Sequence, residues 1–390
     1  MYGAPVTVAH PAPPTRRLAP DLARGAMLLL IAMAYAGVHA GSAFGTDVAG
    51  DPLRDRIAAV LTTLFLDNRA FPMFAILFGG GLAWTVARHR ARGTDDVSVR
   101  RILRRRGGWL LLFGAVHAFL VFPGEILASY GLATLLTGWL LLRPTRSIVR
   151  AAGWFGALSL VTVPIFMIGL RLGGSEMQAV PGYASPEDWV VRLWSLPASP
   201  LVVALGYPLF LLVVLGYLAG RAGLLDDPGA HRPLLRRIAG GGVAVSVAGA
   251  VPAALTAVGV LAVPPVTGGL LLALQVLTGV AGGAGYAALF ALWGLRVEAA
   301  PGRIVRAVAS AGRRSLTCYL LNSALVALLL QPDLVGLGPS AGAAGALLVA
   351  AFVWTATVLL ADRLERAGRP GPADALLHRL VHRRPLPEPR

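Results

Sequence analysis

Apolar runs, each long enough to cross a lipid bilayer, follow one another along most of the chain. A helix needs roughly 20 apolar residues to span the hydrocarbon, and within lipid each backbone polar group must be paired inside its own segment. The pattern therefore predicts an all-α, polytopic integral membrane protein with about ten transmembrane helices. The predicted spans are residues 22–45, 58–87, 107–122, 125–142, 147–170, 199–219, 238–262, 266–294, 315–336 and 341–362.

The loops between these runs are alternately rich and poor in arginine. Eight arginines lie between residues 88 and 106, whereas residues 261–268 carry no charge. Because arginine-rich loops remain in the cytoplasm, the alternation predicts that both termini are cytoplasmic and that the number of spans is even. Residues 171–197 then form the longest external segment, and the chain is expected to be a multi-pass protein of the plasma membrane.

Composition agrees with this interpretation, since 56% of the residues are hydrophobic, 14% are charged and the mean hydropathy is +0.68. The net charge of +16 is explained by arginines at the cytoplasmic ends of spans, so membrane lipid is expected as a partner and nucleic acid is not. Three parts are predicted: a disordered cytoplasmic leader at residues 1–20, a transmembrane domain at residues 21–362, and a basic cytoplasmic tail at residues 363–390. The tail contains a short amphipathic helix at residues 373–381. The oligomeric state is left open.

A few ionisable residues interrupt the apolar pattern. The sequence Asp67-Asn68-Arg69 divides the second run, and Pro72 follows. We expect a short external helix, a break, and a span over about residues 69–88. His117 falls about 16 Å from the inner edge of the third span, past the midplane, and Glu125 follows at the outer end. Four ionisable groups are therefore expected in one leaflet.

Ionisable groups are costly in lipid, so they face the bundle interior and mark a functional site by default. In one interpretation, His117 is a general base in a polar cavity, Glu125 or Asp67 orients it, and Arg69 holds an anion or a developing oxyanion. In the alternative interpretation, Asp67 and Arg69 form a structural pair, Glu125 is interfacial and His117 is hydrogen-bonded in the interior. The residues leave both interpretations open.

Two further groups of polar residues are candidates for binding. An arginine cluster at the start of the third span is expected either to set the topology or to bind anionic lipid or a phosphorylated cytoplasmic ligand. It consists of Arg100, Arg101, Arg104, Arg105 and Arg106. A polar stripe at helical spacing in the ninth span is typical of helix pairing. It consists of Ser315, Tyr319, Asn322 and Ser323. No metal site is expected, because the chain has no metal-ligand motif, and its one cysteine, Cys318, lies in an apolar span.

Five separated sequence blocks cover nearly the whole chain in order. They are residues 21–25 (DLARG), 68–79 (NRAFPMFAILFG), 114–131 (GAVHAFLVFPGEILASYG), 312–319 (GRRSLTCY) and 371–378 (GPADALLH). These blocks resemble the YeiB-like bacterial membrane proteins, a family that is distantly similar to transmembrane acyltransferases of the heparan-glucosaminide acetyltransferase type.

The resemblance implies transfer of an acyl group from cytoplasmic acyl-CoA to an acceptor beyond the membrane, with a histidine in the bundle. Arg69 and His117 match the family's basic and histidine positions, and Glu125 stands where the family usually has aspartate. Tyr35 and Asn322 depart from the family's usual asparagine and glutamine, which puts the acceptor or the activity in doubt.

Three functions therefore remain open from the sequence. The first is a membrane acyltransferase with acyl-CoA as donor substrate, an acceptor sugar or lipid of the cell envelope, and no metal. The second is a transporter or lipid flippase whose outer cavity binds an anionic headgroup. The third is a membrane scaffold without catalytic activity.

Overall fold

The structure, a computed structural model, describes residues 18–42, 45–173 and 180–382. The predicted leader lies almost wholly outside these residues, as does the end of the predicted tail. The described part of the chain is helical, without strands, and includes one short 3₁₀ turn at Leu140–Leu142. Its helices are α1 (Leu18–His39), α2 (Leu53–Phe65), α3 (Ala70–Ala91), α4 (Asp96–Leu120), α5 (Leu127–Thr137), α6 (Thr145–Gly173), α7 (Pro186–Gly206), α8 (Leu209–Arg221), α9 (Arg232–Ala257), α10 (Pro265–Val297), α11 (Arg303–Arg313), α12 (Ser315–Leu330), α13 (Gly338–Arg366) and α14 (Pro372–His382).

The prediction of an all-α, polytopic membrane protein is confirmed. Within the described ranges, seven stretches are long and apolar enough to cross a membrane, and α5, α8 and α12 are shorter apolar helices. The count of about ten spans and the side on which the termini lie stay predictions. The seven stretches are Leu18–His39, Leu53–Ala91, Thr145–Gly173, Pro186–Gly206, Arg232–Ala257, Pro265–Val297 and Gly338–Arg366.

The predicted interruption of the second apolar run is present between α2 and α3. Asn68 has a φ of 58°, in the left-handed region that asparagine tolerates better than most residues. Pro72 lies in the first turn of α3, where an N–H has no helical partner to lose. The chain therefore leaves the helical path at this point and starts a new helix.

The segment around α7 differs from the prediction in two ways. The expected external loop at residues 171–197 is helical from Pro186 onward, because Ser185 and Asp188 form a capping box. The expected single span at residues 199–219 is divided, because Tyr207 is extended (φ −130°, ψ 151°) before Pro208. A residue before proline is disfavoured in the helical region.

One end of the bundle gathers three of the five sequence blocks. We call it the arginine-rich end; here α3 ends with Arg88 and Arg90, and α12 begins after Arg314. A Cβ placed on Gly312 would lie 1.7 Å from the carbonyl oxygen of Asp21, so only glycine allows α11 to pass so close to α1. The block at residues 371–378 supplies the start of α14 (Pro372–His382), which lies at the same end.

Candidate functional site

A cavity of about 230 Å³ opens between α1, α3, α4, α5, α12 and α14. Arg24 and Arg106 line it near the arginine-rich end, and Tyr130 and Tyr319 line it deeper in the bundle. Between them, its wall includes apolar and aromatic side chains such as Phe78. The cavity thus joins a cationic mouth to a polar point inside the membrane domain.

At the inner end of the cavity, Tyr319 pairs with Tyr35, and both lie near His117. The hydroxyl oxygens of Tyr35 and Tyr319 are 2.7 Å apart, and the ring centroids of His117 and Tyr319 are 5.4 Å apart. His117 is 4% exposed, and neither of its ring nitrogens has a hydrogen-bond partner among the described residues. Buried polar atoms are nearly always paired, so an imidazole with two unpaired nitrogens is suited to a ligand or to proton transfer.

His117 is covered on its other side by residues at the start of α7 and just before it. Arg192 is fully buried and donates to the carbonyl of Phe119 (3.2 Å), while the Tyr183 hydroxyl donates to the carbonyl of Val121 (2.8 Å). Residues 181–192 therefore lie over the end of α4, and a molecule approaching from this side meets them before it meets His117.

Glu125 has a structural partner in α5. Its carboxylate accepts hydrogen bonds from the backbone N–H groups of Leu127 and Ala128, the latter at 2.8 Å. A carboxylate in this position satisfies the unpaired N–H groups of a helix start and interacts well with the helix dipole. The recorded hydrogen bonds of Glu125 thus serve the start of α5 and not the orientation of His117.

Asp67 and Arg69 lie in a different group of contacts. The Arg69 guanidinium is buried and donates to the carbonyls of Thr63 (2.7 Å), Asp67 and Ser246 (2.6 Å). These bonds fasten the break between α2 and α3 to α9 and leave little of the guanidinium for an anion. No contact among the described residues joins this group to His117, so a cavity shared by Asp67, Arg69, His117 and Glu125 stays a prediction, and the structural role foreseen for Arg69 is favoured.

The members of the arginine cluster at the start of α4 differ in whether they line the cavity. Of its members, Arg106 lines the cavity, with its guanidinium 5.6 Å from the Phe78 ring centroid. Its Nε is buried without a hydrogen-bond partner among the described residues. The remaining four side chains, Arg100, Arg101, Arg104 and Arg105, are exposed or half-buried and do not line it.

The polar stripe of α12 serves two purposes. Ser315 and Tyr319 line the cavity, whereas the Asn322 amide donates to the carbonyl of Leu28 at 3.4 Å and so joins α12 to α1. Ser323 is buried, and its hydroxyl has no partner among the described residues. The helix-pairing interpretation therefore fits Asn322, and the binding interpretation fits Ser315 and Tyr319.

Sequence reasoning did not select three residues that shape the cavity. They are Arg24, Trp84 and Asp374. Arg24 and Asp374 belong to two of the sequence blocks, and that is the signal by which they might have been chosen. Within residues 18–42, 45–173 and 180–382, no group of three or more His, Cys, Asp or Glu side chains is arranged to hold a metal ion.

The helical bundle and its interior cavity define a polytopic α-helical membrane protein. Residues 219–384 match the family described as "Protein of unknown function (DUF418)", which confirms the resemblance to the YeiB-like proteins. The chain is also 27% identical over 224 residues to the "Uncharacterized protein YxaH" of Bacillus subtilis (strain 168). That alignment covers 50% of this chain and 53% of the relative, so the chain spans about half the length of the curated relative that it matches.

Proposed function

We propose that the protein is a membrane-embedded acyltransferase that takes an acyl group from acyl-CoA at the arginine-rich end. The observation that carries the proposal is the cavity that runs from Arg24 and Arg106 to Tyr319, beside the unpaired imidazole of His117. Guanidinium groups suit the phosphates of CoA, and the apolar wall suits its thioester arm. The arginine-rich end would be cytoplasmic, in the plasma membrane.

In the proposed reaction, a hydroxyl or amine of an envelope sugar or lipid attacks the thioester carbonyl carbon. His117 Nε2 or Nδ1 takes the acceptor's proton as the new bond to carbon forms. The Tyr319 hydroxyl donates to the oxyanion of the tetrahedral intermediate, the role first expected of Arg69. The C–S bond then breaks, and His117 returns the proton to the departing CoA thiolate.

The test uses the full-length protein in phosphatidylcholine nanodiscs. Calorimetry at low salt should show acetyl-CoA binding, and radiolabelled acetyl groups should pass to an envelope glycolipid fraction. His117→Ala should abolish transfer and keep binding, whereas Arg106→Gln should weaken binding in a salt-dependent manner. His39→Gln is the matched control, because His39 is also buried but its ring already pairs with Gln331 at 2.9 Å. Absence of acetyl-CoA binding, or full transfer by His117→Ala, would refute the proposal.

A lipid transporter is the second candidate, and a specific observation favours it. The break between α2 and α3 packs against the break between α7 and α8, with the ring centroids of Phe71 and Tyr207 5.6 Å apart. Broken helices that meet inside the membrane form the binding sites of many transporters. Proteoliposomes that flip fluorescent phosphatidylglycerol, from a protein that does not bind acetyl-CoA, would support this function over acyl transfer.

A further inference from the structure

Helix α14 forms a wall of the cavity at the arginine-rich end. Leu377 and Asp374 line the cavity. The Asp374 carboxylate accepts hydrogen bonds from the N–H groups of Leu316 and Thr317, at 3.2 and 3.1 Å, and from the Thr317 hydroxyl at 2.7 Å. These bonds fix the start of α14 to the start of α12, so the following turns of α14 lie next to the end of α3 and the first half of α4.

Three imidazoles meet where α14 passes the end of α3. The ring centroids of His378 and His382 are 4.6 Å apart, and those of His89 and His382 are 6.1 Å apart. His89 follows Thr85, a cavity-lining residue, by one helical turn. The imidazoles therefore stand just beyond the mouth of the cavity, about 6 Å further along α3.

The charged groups that act on these imidazoles carry positive charge. Arg88 comes from α3, Arg92 directly follows α3, and Arg106 comes from α4. Burial first, and then the neighbouring imidazoles and the guanidinium groups of Arg106 and Arg88, lower the pKa of the His382 imidazole. Burial and Arg88 lower the pKa of the His378 imidazole. The carboxylate one turn before His378 is that of Asp374, which is held by α12.

Two polar atoms in this cluster are buried without a partner among the described residues. They are Nε of Arg106 and Nδ1 of His378. The Arg88 guanidinium lies 5.1 Å from the centroid of the Trp84 ring, which holds it near the same mouth. The two guanidinium groups of Arg88 and Arg106 repel each other and resist protonation of the imidazoles beside them, so an anion bound among these groups would be stabilised by all of them.

We propose that Arg88, Arg106, His378 and His382 form a phosphoryl-binding site at the mouth of the cavity, with His89 beside it. Guanidinium and imidazolium groups both donate charge-assisted hydrogen bonds to phosphate oxygens. The phosphoryl group belongs either to a soluble ligand or to a phospholipid headgroup of the adjoining leaflet. The site does not depend on the acyl transfer proposed above, because its chemistry recognises phosphate in any ligand.

The test titrates inorganic pyrophosphate into the full-length protein in phosphatidylcholine nanodiscs at low salt. Since binding should draw a proton onto an imidazole, the affinity should be about tenfold higher at pH 6 than at pH 7.5. The double variant His378→Gln/His382→Gln should lose this pH dependence, and Arg106→Gln should weaken binding at both pH values. Arg150→Gln, at an exposed position of α6, is the control and should bind as the parent does.

Nanodiscs with phosphatidic acid distinguish the two sources of phosphate. Competition between this lipid and pyrophosphate assigns the site to a headgroup; unchanged pyrophosphate affinity assigns it to a soluble ligand. No pyrophosphate binding in either membrane, or equal binding by the parent, the double histidine variant and Arg106→Gln, overturns the proposal. If Arg106→Gln does not fold, Arg88→Gln at the exposed end of α3 replaces it. His117→Ala should bind pyrophosphate normally, so loss of acyl transfer and loss of the phosphate site are separate results.

Discussion

The buried polar side chains of this protein fall into two kinds. Arg69 and Arg192 donate to several backbone carbonyls each, and a guanidinium with so many partners holds loops and helices together. His117 and Ser323, in contrast, are buried with polar atoms that have no partner among the described residues. Leaving such atoms unpaired costs about 1–3 kcal/mol each, so they are better candidates for ligand contact than the arginines.

At this scale the sequence identified His117 and Tyr319 as candidates but did not indicate that they lie together. An ionisable side chain inside an apolar run is visible in one sequence, whereas the Tyr35–Tyr319 pair joins residues that are 284 positions apart. Tyr35 was noticed as a departure from the usual family residue, and the structure gives it a partner for its hydroxyl. The roles expected of Arg69 and Glu125 rested on proximity to His117, which depends on helix packing that periodicity does not contain.

We predict that Tyr319→Phe lowers acyl transfer about 100-fold while acetyl-CoA binding changes little, because removal of one oxyanion donor has an effect of this order. The ring and its packing are kept, so a loss of transfer reports on the hydroxyl. Tyr286→Phe is the control, since the Tyr286 hydroxyl donates to the carbonyl of Phe65 away from the cavity, at 2.8 Å. Equal activity of the two variants would exclude the role of Tyr319. Initial rates and calorimetric affinities are the measurements.

Among the helices, glycine decides which pairs approach closely. A Cβ on Gly79 of α3 would lie 2.1 Å from the Val213 carbonyl oxygen of α8, and one on Gly216 of α8 would lie 2.0 Å from the carbonyl oxygen of Ile76. The crossing of α4 and α5 is similar, with Gly114 facing Ala128. Small residues let helix backbones meet in membranes, where association depends on packing.

We predict that Gly114→Ala destabilises the protein, because the new Cβ would lie 2.2 Å from the backbone nitrogen of Ala128 and force α4 from α5. Overpacking of this kind costs about 1–3 kcal/mol. Gly108→Ala in the same helix is the matched control, since its Cβ would meet nothing within 4 Å and alanine favours helix by about 1 kcal/mol. The midpoint temperature of thermal unfolding in detergent should therefore be lower for Gly114→Ala than for the parent, and unchanged or higher for Gly108→Ala. A lower unfolding temperature for Gly108→Ala than for Gly114→Ala would contradict the close approach of α4 and α5 at Gly114.

We also predict that α14 loosens as the pH falls in phosphate-free buffer. The pKa values of His378 and His382 are lowered, by burial first and then by nearby cations. The two imidazoles therefore bind protons more readily when α14 has detached from the bundle than when it is packed (docked) against it. Docking is strongest above the ordinary histidine pKa of about 6.5 and weakens as the pH falls below it. Hydrogen exchange of residues 372–382, corrected for intrinsic rates, should rise between pH 7.5 and 5.5, and the double variant His378→Gln/His382→Gln should show no such rise.

Helix ends could be predicted only where the local sequence by itself opposes a continuous helix. The break before α3 follows from Asp67-Asn68-Arg69 and Pro72, which oppose a continuous span. The break before α8 at Pro208 was missed, and the reason is visible in α7. Pro197 and Pro200 lie inside that helix without ending it. Whether a proline breaks a helix depends on what replaces the lost hydrogen bond, and neighbouring helices decide this.

At the scale of the whole molecule, the arginines make one end of the bundle cationic. Arg24 and Arg106 line the cavity near its mouth, whereas Arg192 on the far side of His117 is fully buried and donates to the carbonyl of Phe119. The apolar pattern predicted the fold class of the whole chain, because lipid imposes helices on any spanning segment. It did not predict which helices enclose the cavity, since α1, α4, α12 and α14 are far apart in the sequence and meet through side-chain packing alone.

Topology is the property of the whole molecule on which the acyltransferase proposal depends, because acyl-CoA is cytoplasmic. If about ten spans are present, the turn after α3 and the chain end after α14 are cytoplasmic, and the turn between α12 and α13 is external. The single cysteine, Cys318, is buried, so a Cys318→Ser background allows one reporter thiol at a time. Arg92→Cys should react with a membrane-impermeant maleimide only in inside-out vesicles, and Val335→Cys, at a position 54% exposed, only in right-side-out vesicles. A reporter fused after residue 390 should read cytoplasmic. An external reading there would mean that the bundle has the opposite orientation, because the start of α1 and α14 lie at the same end, and would place the cationic mouth of the cavity away from cytoplasmic acyl-CoA.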